Sequence, residues 1–336
     1  MRPLVVVDAD VLGRQRTGDE TYVENLLREL PAAAPDLRLA AVTRKPELVP
    51  DGVEPVELPA RSQEWRMAVS LSRLLGRLRP ALGHFQHSLP LRCPCRAVVT
   101  VHDLSFERDR EVMGVVDRLV FKTVVPRSAR RASAVIAVSE RTRADLVELY
   151  GVPRERIIVT PHGVDPIFRP DGSAGGGYLL FVGAVQERKN PLAALRAADE
   201  TGLPLVVAGP PKDAALAAEL AGRGASVRGW VEKAELAELY RGAAALVLPT
   251  RYEGFGLPVL EAMASGTPVV ATPDPALQEL AGNAAVYAEP DELAGAVRRA
   301  LARRGELAAA GLERAVRFSW RETARRTAEV YRRALA

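Results

Sequence analysis

The feature that most constrains the fold is a regular alternation of short apolar runs with stretches of helix length. The runs are rich in Val, Ile, Leu and Ala, and the stretches between them have the spacing of amphipathic helices. This alternation is typical of βαβ units and predicts mostly parallel sheets. The predicted strands are Leu4–Val7, Leu39–Thr43, Ala97–Val101, Ala134–Val138, Ile157–Thr160, Tyr178–Val182, Leu205–Ala208, Ala225–Arg228, Ala245–Leu248 and Val269–Ala271.

Residues 161–178 interrupt the alternation. Their sequence, PHGVDPIFRPDGSAGGGY, contains three prolines and three consecutive glycines, which fit neither a helix interior nor a central strand. A linker at this point divides the 336 residues into two domains of ordinary size. We predict two doubly wound α/β domains, residues 1–165 and 166–316, that face a cleft. Ligands of such sheets bind beyond the carboxyl ends of the strands.

Residues 317–336 predict a C-terminal helix. Ser319 is placed to cap it, and Glu322 three residues later completes a capping-box pattern. Such a helix could lie on the surface of the second domain. The alternative, which we predict, is that it crosses back and braces the first domain.

Composition excludes several classes of protein. No apolar run approaches the roughly 20 residues of a membrane-spanning helix, and Asp8 and Asp10 come too early for a signal peptide. Cys93 and Cys95 are one residue apart, so a disulfide between them would be strained, and two ligands are too few for structural zinc. We therefore expect a cytoplasmic protein with reduced thiols. A net charge of +4 with 5% aromatic residues gives no support to nucleic-acid binding.

The segment with the most chemistry is ALVLPTRYEGFGLPVLEAMASGTPVVA, residues 245–271. A buried strand leads into a turn, Glu253–Gly256, and a helix begins near Leu257 with proline as its second residue. The free N–H groups at such a helix start form an anion site. Glu253 just outside it and Glu261 eight residues on predict a ligand with both phosphate and hydroxyl groups, such as a sugar diphosphate. Alternatively, Glu253 only complements the helix dipole and Glu261 is an exposed helix residue.

A second motif, FVGAVQERKNP, follows the first strand of the second domain. Arg188 and Lys189 come directly before Asn190, a predicted N-cap, and Pro191, the predicted first helical residue. Two cations at a strand–helix junction suit a diphosphate, with arginine as a fork and lysine as a mobile point charge. Solvated loop charges are the alternative.

The first domain offers weaker signals. His102 and Asp103 follow a predicted strand, where His102 could act at the cleft edge or serve as a structural hydrogen-bonding residue. His84 and His87 are three residues apart with no third ligand nearby in the sequence, so we predict no metal site there. Asp8 and Asp10 have the spacing of a metal-binding pair but are interpreted as loop caps.

Four segments resemble those of the retaining glycosyltransferases of family 4. EGFGLPVLEAMASGTPVV resembles the Glu-x7-Glu signature and FVGAVQERKNP the phosphate-binding segment. AVSERTRADLVELYGVPRERIIVTPHGVD resembles the stretch before the linker, and FSWRETARRTAEVY the C-terminal helix. The resemblance implies the GT-B architecture, in which two Rossmann-like domains face each other, the second binding a nucleotide-sugar donor and the first binding mainly the acceptor.

The resemblance also implies roles for individual residues. Glu253 would contact the hydroxyls of the donor sugar, Arg188 and Lys189 would stabilise the departing diphosphate, and His102 would contact the transferred sugar. Glu261 would bind the ribose hydroxyls. The remaining positions implied to bind the donor, mainly through the backbone, are Gly18, Gly183, Val231, Phe255, Gly256 and Leu257.

One departure lies in the first loop. The family often has two glycines in a TGIGR-like run, whereas this chain reads TGDET, with Glu20 in place of the second glycine. A carboxylate there would crowd the diphosphate. The loop either turns outward, with a helix starting near Thr21, or presents Asp19 and Glu20 to acceptor hydroxyls.

The function implied by the resemblance is a retaining transfer of a hexose from a donor of the GDP-mannose or UDP-glucose type. The acceptor would be a saccharide, a lipid-linked molecule or a small-molecule hydroxyl, in glycan or glycolipid biosynthesis. No cofactor and no metal ion are expected, because Arg188, Lys189 and the helix dipole would take the metal's place. A sugar-nucleotide epimerase of the same fold and a non-catalytic sugar-nucleotide-binding homologue are the alternatives.

Charge is concentrated in residues 61–131, which carry 14 basic and 6 acidic side chains. Within them QEWRMAVSLSRLLGRLR predicts an amphipathic helix, with Trp65 and Leu74 on its apolar side and Arg66 and Arg73 towards the other. Basic amphipathic helices can lie on anionic lipid. The segment either docks the protein on the inner membrane face or packs its apolar stripe on the sheet as an ordinary Rossmann helix.

Overall fold

The computed structural model describes residues 2–14, 17–60, 62–108, 115–172 and 175–336. These residues form two compact units. Among the described residues, unit 1 contains the chain up to Glu107, residues 115–163, and Trp320–Ala336. Unit 2 contains Val164–Ser319. The division therefore falls next to the boundaries expected at residues 165 and 317.

Unit 1 is built on a parallel sheet of seven strands in the order β3-β2-β1-β4-β5-β6-β7. The strands are β1 (Leu4–Asp8), β2 (Arg38–Thr43), β3 (Glu54–Glu57), β4 (Leu82–Gln86), β5 (Arg96–Val101), β6 (Ala134–Ala137) and β7 (Ile157–Val159). Its first six helices are α1 (Thr17–Ala33), α2 (Gln63–Trp65), α3 (Leu71–Leu78), α4 (Ser105–Arg108), α5 (Val115–Arg131) and α6 (Glu140–Tyr150).

Unit 2 is built on a parallel sheet of six strands in the order β10-β9-β8-β11-β12-β13. The strands are β8 (Leu179–Val182), β9 (Leu205–Ala208), β10 (Ser226–Gly229), β11 (Ala245–Leu248), β12 (Val269–Ala271) and β13 (Ala285–Tyr287). The helices are α7 (Pro191–Thr201), α8 (Ala214–Gly222), α9 (Lys233–Gly242), α10 (Leu257–Ala264), α11 (Pro275–Ala281), α12 (Leu293–Ala302) and α13 (Arg304–Ala315).

All ten predicted strands are present, and three further strands were not predicted from the sequence. β3 is an edge strand with a largely exposed EPVE sequence, and β13 has only three residues. β4 has the sequence LGHFQ and lies in the middle of the sheet between β1 and β5. It was not predicted because its polar residues interrupt the apolar run expected of a central strand. A central strand cannot be predicted from apolar runs when its polar side chains, such as His84, form hydrogen bonds inside the core.

The last helix, α14 (Trp320–Leu335), packs against α1 and the sheet of unit 1. Tyr331 Oη lies 2.7 Å from His84 Nδ1, and Arg332 forms an ion pair with Asp36. Arg96 donates a hydrogen bond to the carbonyl of Ala334. The prediction that the C-terminal helix returns to the first domain is confirmed.

The segment predicted as one basic amphipathic helix has a different structure. It consists of α2, a π-helical turn at Arg66–Ser70, and α3. Leu71, Leu74 and Leu75 belong to the core of unit 1, and the Arg66 side chain is fully buried. The apolar stripe therefore packs on the sheet, as in an ordinary Rossmann helix. Among the described residues, no helix has both the length and the apolar character needed to span a bilayer.

Candidate active site

The predicted turn of unit 2 is formed between β11 and α10. Gly256 occupies the N-cap position of α10 with a φ of +101°, and proline is in the first turn. A Cβ at Gly256 would lie 2.4 Å from Leu277 Cδ2, so only glycine fits. The helix starts at Leu257, as predicted. Pro258 has no N–H, and the N–H groups of Val259 and Leu260 donate to Gly256 O at 2.9 and 3.2 Å, so this turn carries the positive end of the helix dipole. This end of α10 has the properties of an anion site.

The two motifs of unit 2, 64 residues apart in sequence, meet at this turn. Lys189 Nζ forms an ion pair with Glu253 Oε1, and both side chains are largely buried. The Arg188 guanidinium donates a hydrogen bond to the carbonyl of Tyr252, and the Arg188 carbonyl accepts one from Arg251 N. The arrangement places two cations and one carboxylate beside the N-terminus of α10.

Asn190 differs from its prediction. It stands before Pro191 at the start of α7, but it has a φ of +50° and its side chain forms no capping hydrogen bond. Its backbone N–H instead bonds Glu187 O, 2.9 Å away, and so ends a 3-10 turn that contains Arg188 and Lys189. The left-handed conformation that asparagine tolerates is used to reverse the chain, not to cap the helix.

Gly183 follows β8 with a φ of +147°, which favours glycine. Its backbone passes so close to Gly209 that a Cβ on Gly209 would lie 2.0 Å from Gly183 O. Val231 lies half-buried between β10 and α9, beside the exposed Trp230. Gly183, Gly209 and Val231 thus lie in the loops that follow β8, β9 and β10.

Asp274 is a residue of this region that was not predicted from the sequence. Its Oδ2 accepts a hydrogen bond from Glu253 N at 3.2 Å, and its Oδ1 accepts one from Ala276 N at 2.8 Å. Asp274 thus caps α11 and at the same time fixes the turn that carries Glu253. The Asp-Pro pair at residues 274–275, an N-cap followed by proline, is the signal that could have identified it.

Glu261 is buried on α10, not exposed. Burial raises the pKa of its carboxyl to about 7, although the Tyr240 hydroxyl donates a hydrogen bond of 2.8 Å to Oε2 and the nearby Lys233 charge acts in the opposite direction. Lys233 is itself paired with Asp165 at 2.8 Å. A carboxyl with this pKa changes its charge near neutral pH.

In unit 1 the first loop is shorter than expected. α1 begins at Thr17, four residues before the predicted start, so Gly18, Asp19 and Glu20 lie in its first turn. Acidic residues are favourable there because they complement the helix dipole. Glu20 Oε1 accepts a hydrogen bond from Gly13 N at 2.6 Å. Glu20 therefore turns back onto its own loop.

His102 lies just after β5, as predicted, and is buried. Its Nε2 is 3.0 Å from Gln86 Oε1, and its ring packs edge-on against Tyr22 at 4.8 Å. Burial lowers the pKa of His102 to about 4, so the imidazole is neutral at physiological pH. Asp103 accepts hydrogen bonds from the backbone and side chain of Ser105 at the start of α4, which is a structural role.

His84 is held by hydrogen bonds at both ring nitrogens. Nδ1 is 2.7 Å from Tyr331 Oη, and Nε2 is 2.7 Å from Thr100 Oγ1. Burial lowers the pKa of His84 to about 3. These two hydrogen bonds link His84 on β4 to Tyr331 on α14 and to Thr100 on β5.

The interpretation of Asp8 and Asp10 as loop caps holds only in part. Asp8 Oδ1 accepts a hydrogen bond from Asp10 N at 3.3 Å, but both carboxylates also have partners that were not predicted. Arg66 donates two hydrogen bonds to the Asp8 carboxylate, at 2.6 and 3.0 Å, and its Nε lies 3.4 Å from Asp10 Oδ1. Arg44 forms a two-point contact with Asp10 at 2.9 and 3.0 Å, and Arg14 also pairs with Asp10. The two carboxylates are buried among three arginines. Arg14 is only four residues from Asp10, whereas Arg44 and Arg66 are distant in the sequence, so local spacing could not reveal their contacts.

Comparison with protein families gives two matches. Residues 176–303 match the family described as glycosyl transferases group 1, and residues 16–168 match glycosyltransferase family 4. Together the matches account for most of both units.

Individual relatives are also glycosyltransferases by name. O-antigen chain mannosyltransferase B of Escherichia coli is 31% identical, and the alignment covers 70% of each chain. D-inositol 3-phosphate glycosyltransferase of Acidothermus cellulolyticus is 35% identical over 63% of this chain and 58% of that relative, so less than two thirds of the latter is spanned.

Two solved structures share the fold. Sucrose-phosphate synthase from Thermosynechococcus elongatus has a TM-score of 0.79 at 20% identity and covers 99% and 98% of the two chains. Anabaena HepE in complex with UDP-glucose has a TM-score of 0.77 at 15% identity and covers 98% and 99%. With the two parallel sheets, these similarities confirm the predicted GT-B fold class.

Proposed function

Because the chain belongs to the glycosyltransferases of group 1 and family 4, we propose that it transfers a hexose, with retention, from a nucleoside-diphosphate sugar to a hydroxyl acceptor in glycan biosynthesis. The observation that carries the proposal is the meeting of Arg188, Lys189 and Glu253 at the N-terminus of α10. A relative named as a mannosyltransferase and a structural neighbour bound to UDP-glucose support a donor of the GDP-mannose or UDP-glucose type.

In this proposal unit 2 binds the donor. The diphosphate lies at the N-terminus of α10, where the positive end of the helix dipole, Lys189 and Arg188 face the oxygens that gain negative charge as the glycosidic bond breaks. Glu253 exchanges part of its contact with Lys189 for the hydroxyls of the sugar. Asp274 keeps Glu253 in place through its backbone. Catalysis is then mainly electrostatic, and the charges are in position before the donor arrives.

Unit 1 supplies the neutral His102, which can accept or donate a hydrogen bond to the transferred sugar without adding a charge. Retention follows from attack on the face that the diphosphate leaves, with the leaving phosphate taking the acceptor proton. The carboxylate of Glu253 is paired with Lys189, which lowers its strength as a nucleophile. We therefore assign Glu253 to sugar binding.

The proposal is tested by a screen of UDP-, GDP-, ADP- and dTDP-sugars with candidate acceptors, in buffer that contains excess EDTA. We expect transfer from one donor, with the anomeric configuration retained and with activity undiminished by EDTA. Loss of activity in EDTA that is restored by Mg²⁺ or Mn²⁺ would contradict metal independence. An epimerised sugar nucleotide formed without acceptor would show an epimerase, and the absence of turnover with tight donor binding would show a non-catalytic homologue.

The pKa of Glu261 predicts how donor binding depends on pH. A ribose hydroxyl is bound best by the ionised carboxylate, and a pKa of about 7 means that this form becomes dominant as the pH rises from 6 to 8. We expect the affinity for GDP-mannose or UDP-glucose to rise over this interval by up to about tenfold. Calorimetric titration measures it, and sugar nucleotides are suitable because their diphosphates do not titrate near neutrality.

Glu261→Gln is the matched variant, because it keeps the shape of the side chain and removes the titration. It should bind the donor more weakly and with no rise between pH 6 and 8. A rise that persists in Glu261→Gln would assign the titration to another group. His102 does not interfere, since its pKa of about 4 lies below this interval.

We also propose a cytoplasmic protein that contacts the inner membrane face through residues 61–131. The apolar stripe of α3 is not available for this contact, but Trp65, Leu91 and Leu119 are more than half exposed. Basic residues near an anionic surface contribute about 1 kcal/mol each. We expect co-sedimentation with anionic liposomes that weakens at physiological salt, and Trp65→Ala should reduce it. Equal, negligible binding to anionic and neutral liposomes would contradict the contact and favour a soluble acceptor.

A further inference from the structure

Three side chains of unit 1 converge although they are far apart in sequence. Asp19 comes from the first turn of α1, His87 follows β4, and His102 follows β5. Asp19 Oδ2 is 3.9 Å from His87 Nε2, and Asp19 Oδ1 is 4.0 Å from His102 Nε2. One ligand atom from each of the three residues lies within 4.8 Å of the others. The predicted absence of a metal site rested on His84 and His87 alone. His84 is not part of this cluster, and the fold brings two other ligands, Asp19 and His102, to His87.

The distances between Asp19 and the two histidines favour a bound cation over direct hydrogen bonds between these side chains. The separations of 3.9 and 4.0 Å are too long for hydrogen bonds, so the three groups face a common point without using one another. Gln86 Oε1, 3.0 Å from His102 Nε2, adds a fourth possible ligand atom at the same place. His87 has a φ of +58°, an unusual conformation for histidine, and this conformation directs its ring at Asp19.

We propose that Asp19, His87 and His102 form a binding site for a divalent transition-metal ion such as Zn²⁺. Two imidazoles and one carboxylate are ligands that zinc accepts, and three protein ligands leave one position for water or Gln86.

The geometry also indicates a moderate affinity. Zinc–ligand bonds of about 2.1 Å in a tetrahedron place ligand atoms about 3.4 Å apart, so the three groups must move inward by roughly half an ångström. The Nδ1 atoms of His87 and His102 are buried without a hydrogen-bond partner among the described residues. Tight zinc sites usually have an acceptor there, and its absence typically lowers affinity by about 10–100-fold.

The consequence for transfer rests on the proposed function. If His102 contacts the transferred sugar, a metal ion on its Nε2 removes that contact. Zn²⁺ would then inhibit the enzyme, and EDTA would protect it. This is the opposite of a metal requirement and agrees with the expected activity in EDTA.

Metal binding is tested by titrating Zn²⁺ and Co²⁺ into tag-free protein by calorimetry and by the visible absorption of bound Co²⁺. Cys93 and Cys95, whose Sγ atoms are 3.7 Å apart, are a competing site, so all variants carry Cys93→Ser and Cys95→Ser. We expect one ion per chain and loss of more than about 100-fold in affinity for His87→Gln and for Asp19→Asn. Glu24→Gln, an exposed carboxylate on the same helix, is the control and should bind normally.

Absence of stoichiometric binding, or binding that His87→Gln and Asp19→Asn leave unchanged, would overturn the proposal. A thermal-shift measurement without metal shows that the variants are folded. Activity distinguishes the site from the proposed function. Inhibition by Zn²⁺ that His87→Gln relieves supports both, whereas binding without inhibition supports the metal site and contradicts the sugar contact of His102.

Discussion

Replacing Lys189 with alanine is expected to lower kcat/KM for sugar transfer by about 10²-fold or more, and Arg188→Ala by a similar factor. A hundredfold corresponds to about 2.7 kcal/mol of transition-state stabilisation. The reason is that both cations lie at the N-terminus of α10, where the proposed function places the leaving diphosphate. Steady-state kinetics with the donor found in the screen measure the effect.

The control must separate catalysis from folding, because Lys189→Ala leaves the buried Glu253 carboxylate without its cation. Lys189→Met with Glu253→Gln removes both charges together and should fold normally while remaining inactive. Lys212→Ala, an exposed lysine of the same unit, should keep full activity. Full activity in the folded Lys189 variant would show that this lysine does not stabilise the leaving group.

Replacing Arg66 with methionine is expected to destabilise unit 1 by about 3–5 kcal/mol. The substitution leaves Asp8 buried and unpaired, because Arg66 supplies both hydrogen bonds that the Asp8 carboxylate receives from a guanidinium. For a unit of this size the midpoint of thermal unfolding should fall by roughly 6–20 °C. Differential scanning calorimetry measures the shift.

The matched double variant Asp8→Asn with Arg66→Met should recover more than half of the loss, since no buried charge then lacks its partner. Arg77→Met, an exposed arginine on α3, should change the midpoint little. An Arg66→Met midpoint equal to that of Arg77→Met would mean that the buried pair contributes nothing to stability.

The fold could be predicted largely because its signals are local. Apolar runs predicted ten strands, and the Gly-Leu-Pro sequence at Gly256 predicted the start of α10. Glycine and proline act on the backbone at their own position, so their effect can be deduced without knowing what lies across the sheet.

Prediction from the sequence failed for contacts between residues that are far apart in the chain. Such contacts shape the candidate active site of unit 2 and the polar clusters of unit 1. Asp8 and Arg66 are 58 residues apart, and Lys189 and Glu253 are 64 apart. His102 could be placed after a strand, but its neighbour Asp19 could not be identified from spacing. Residues that meet at the carboxyl edge of a parallel sheet belong to successive crossovers, and their side-chain pairing depends on packing that no period in the sequence encodes.

The return of α14 to unit 1 has a consequence for protein synthesis. The sheet and helices of unit 2 all lie within Val164–Ser319, so they can form as soon as that stretch leaves the ribosome. Unit 1 cannot be completed before unit 2, because Trp320 and Tyr331, which pack with Tyr22 and His84, are translated after unit 2. The unit whose first strands are translated earlier is therefore completed later, and until then His84 of β4 lacks its contact with Tyr331.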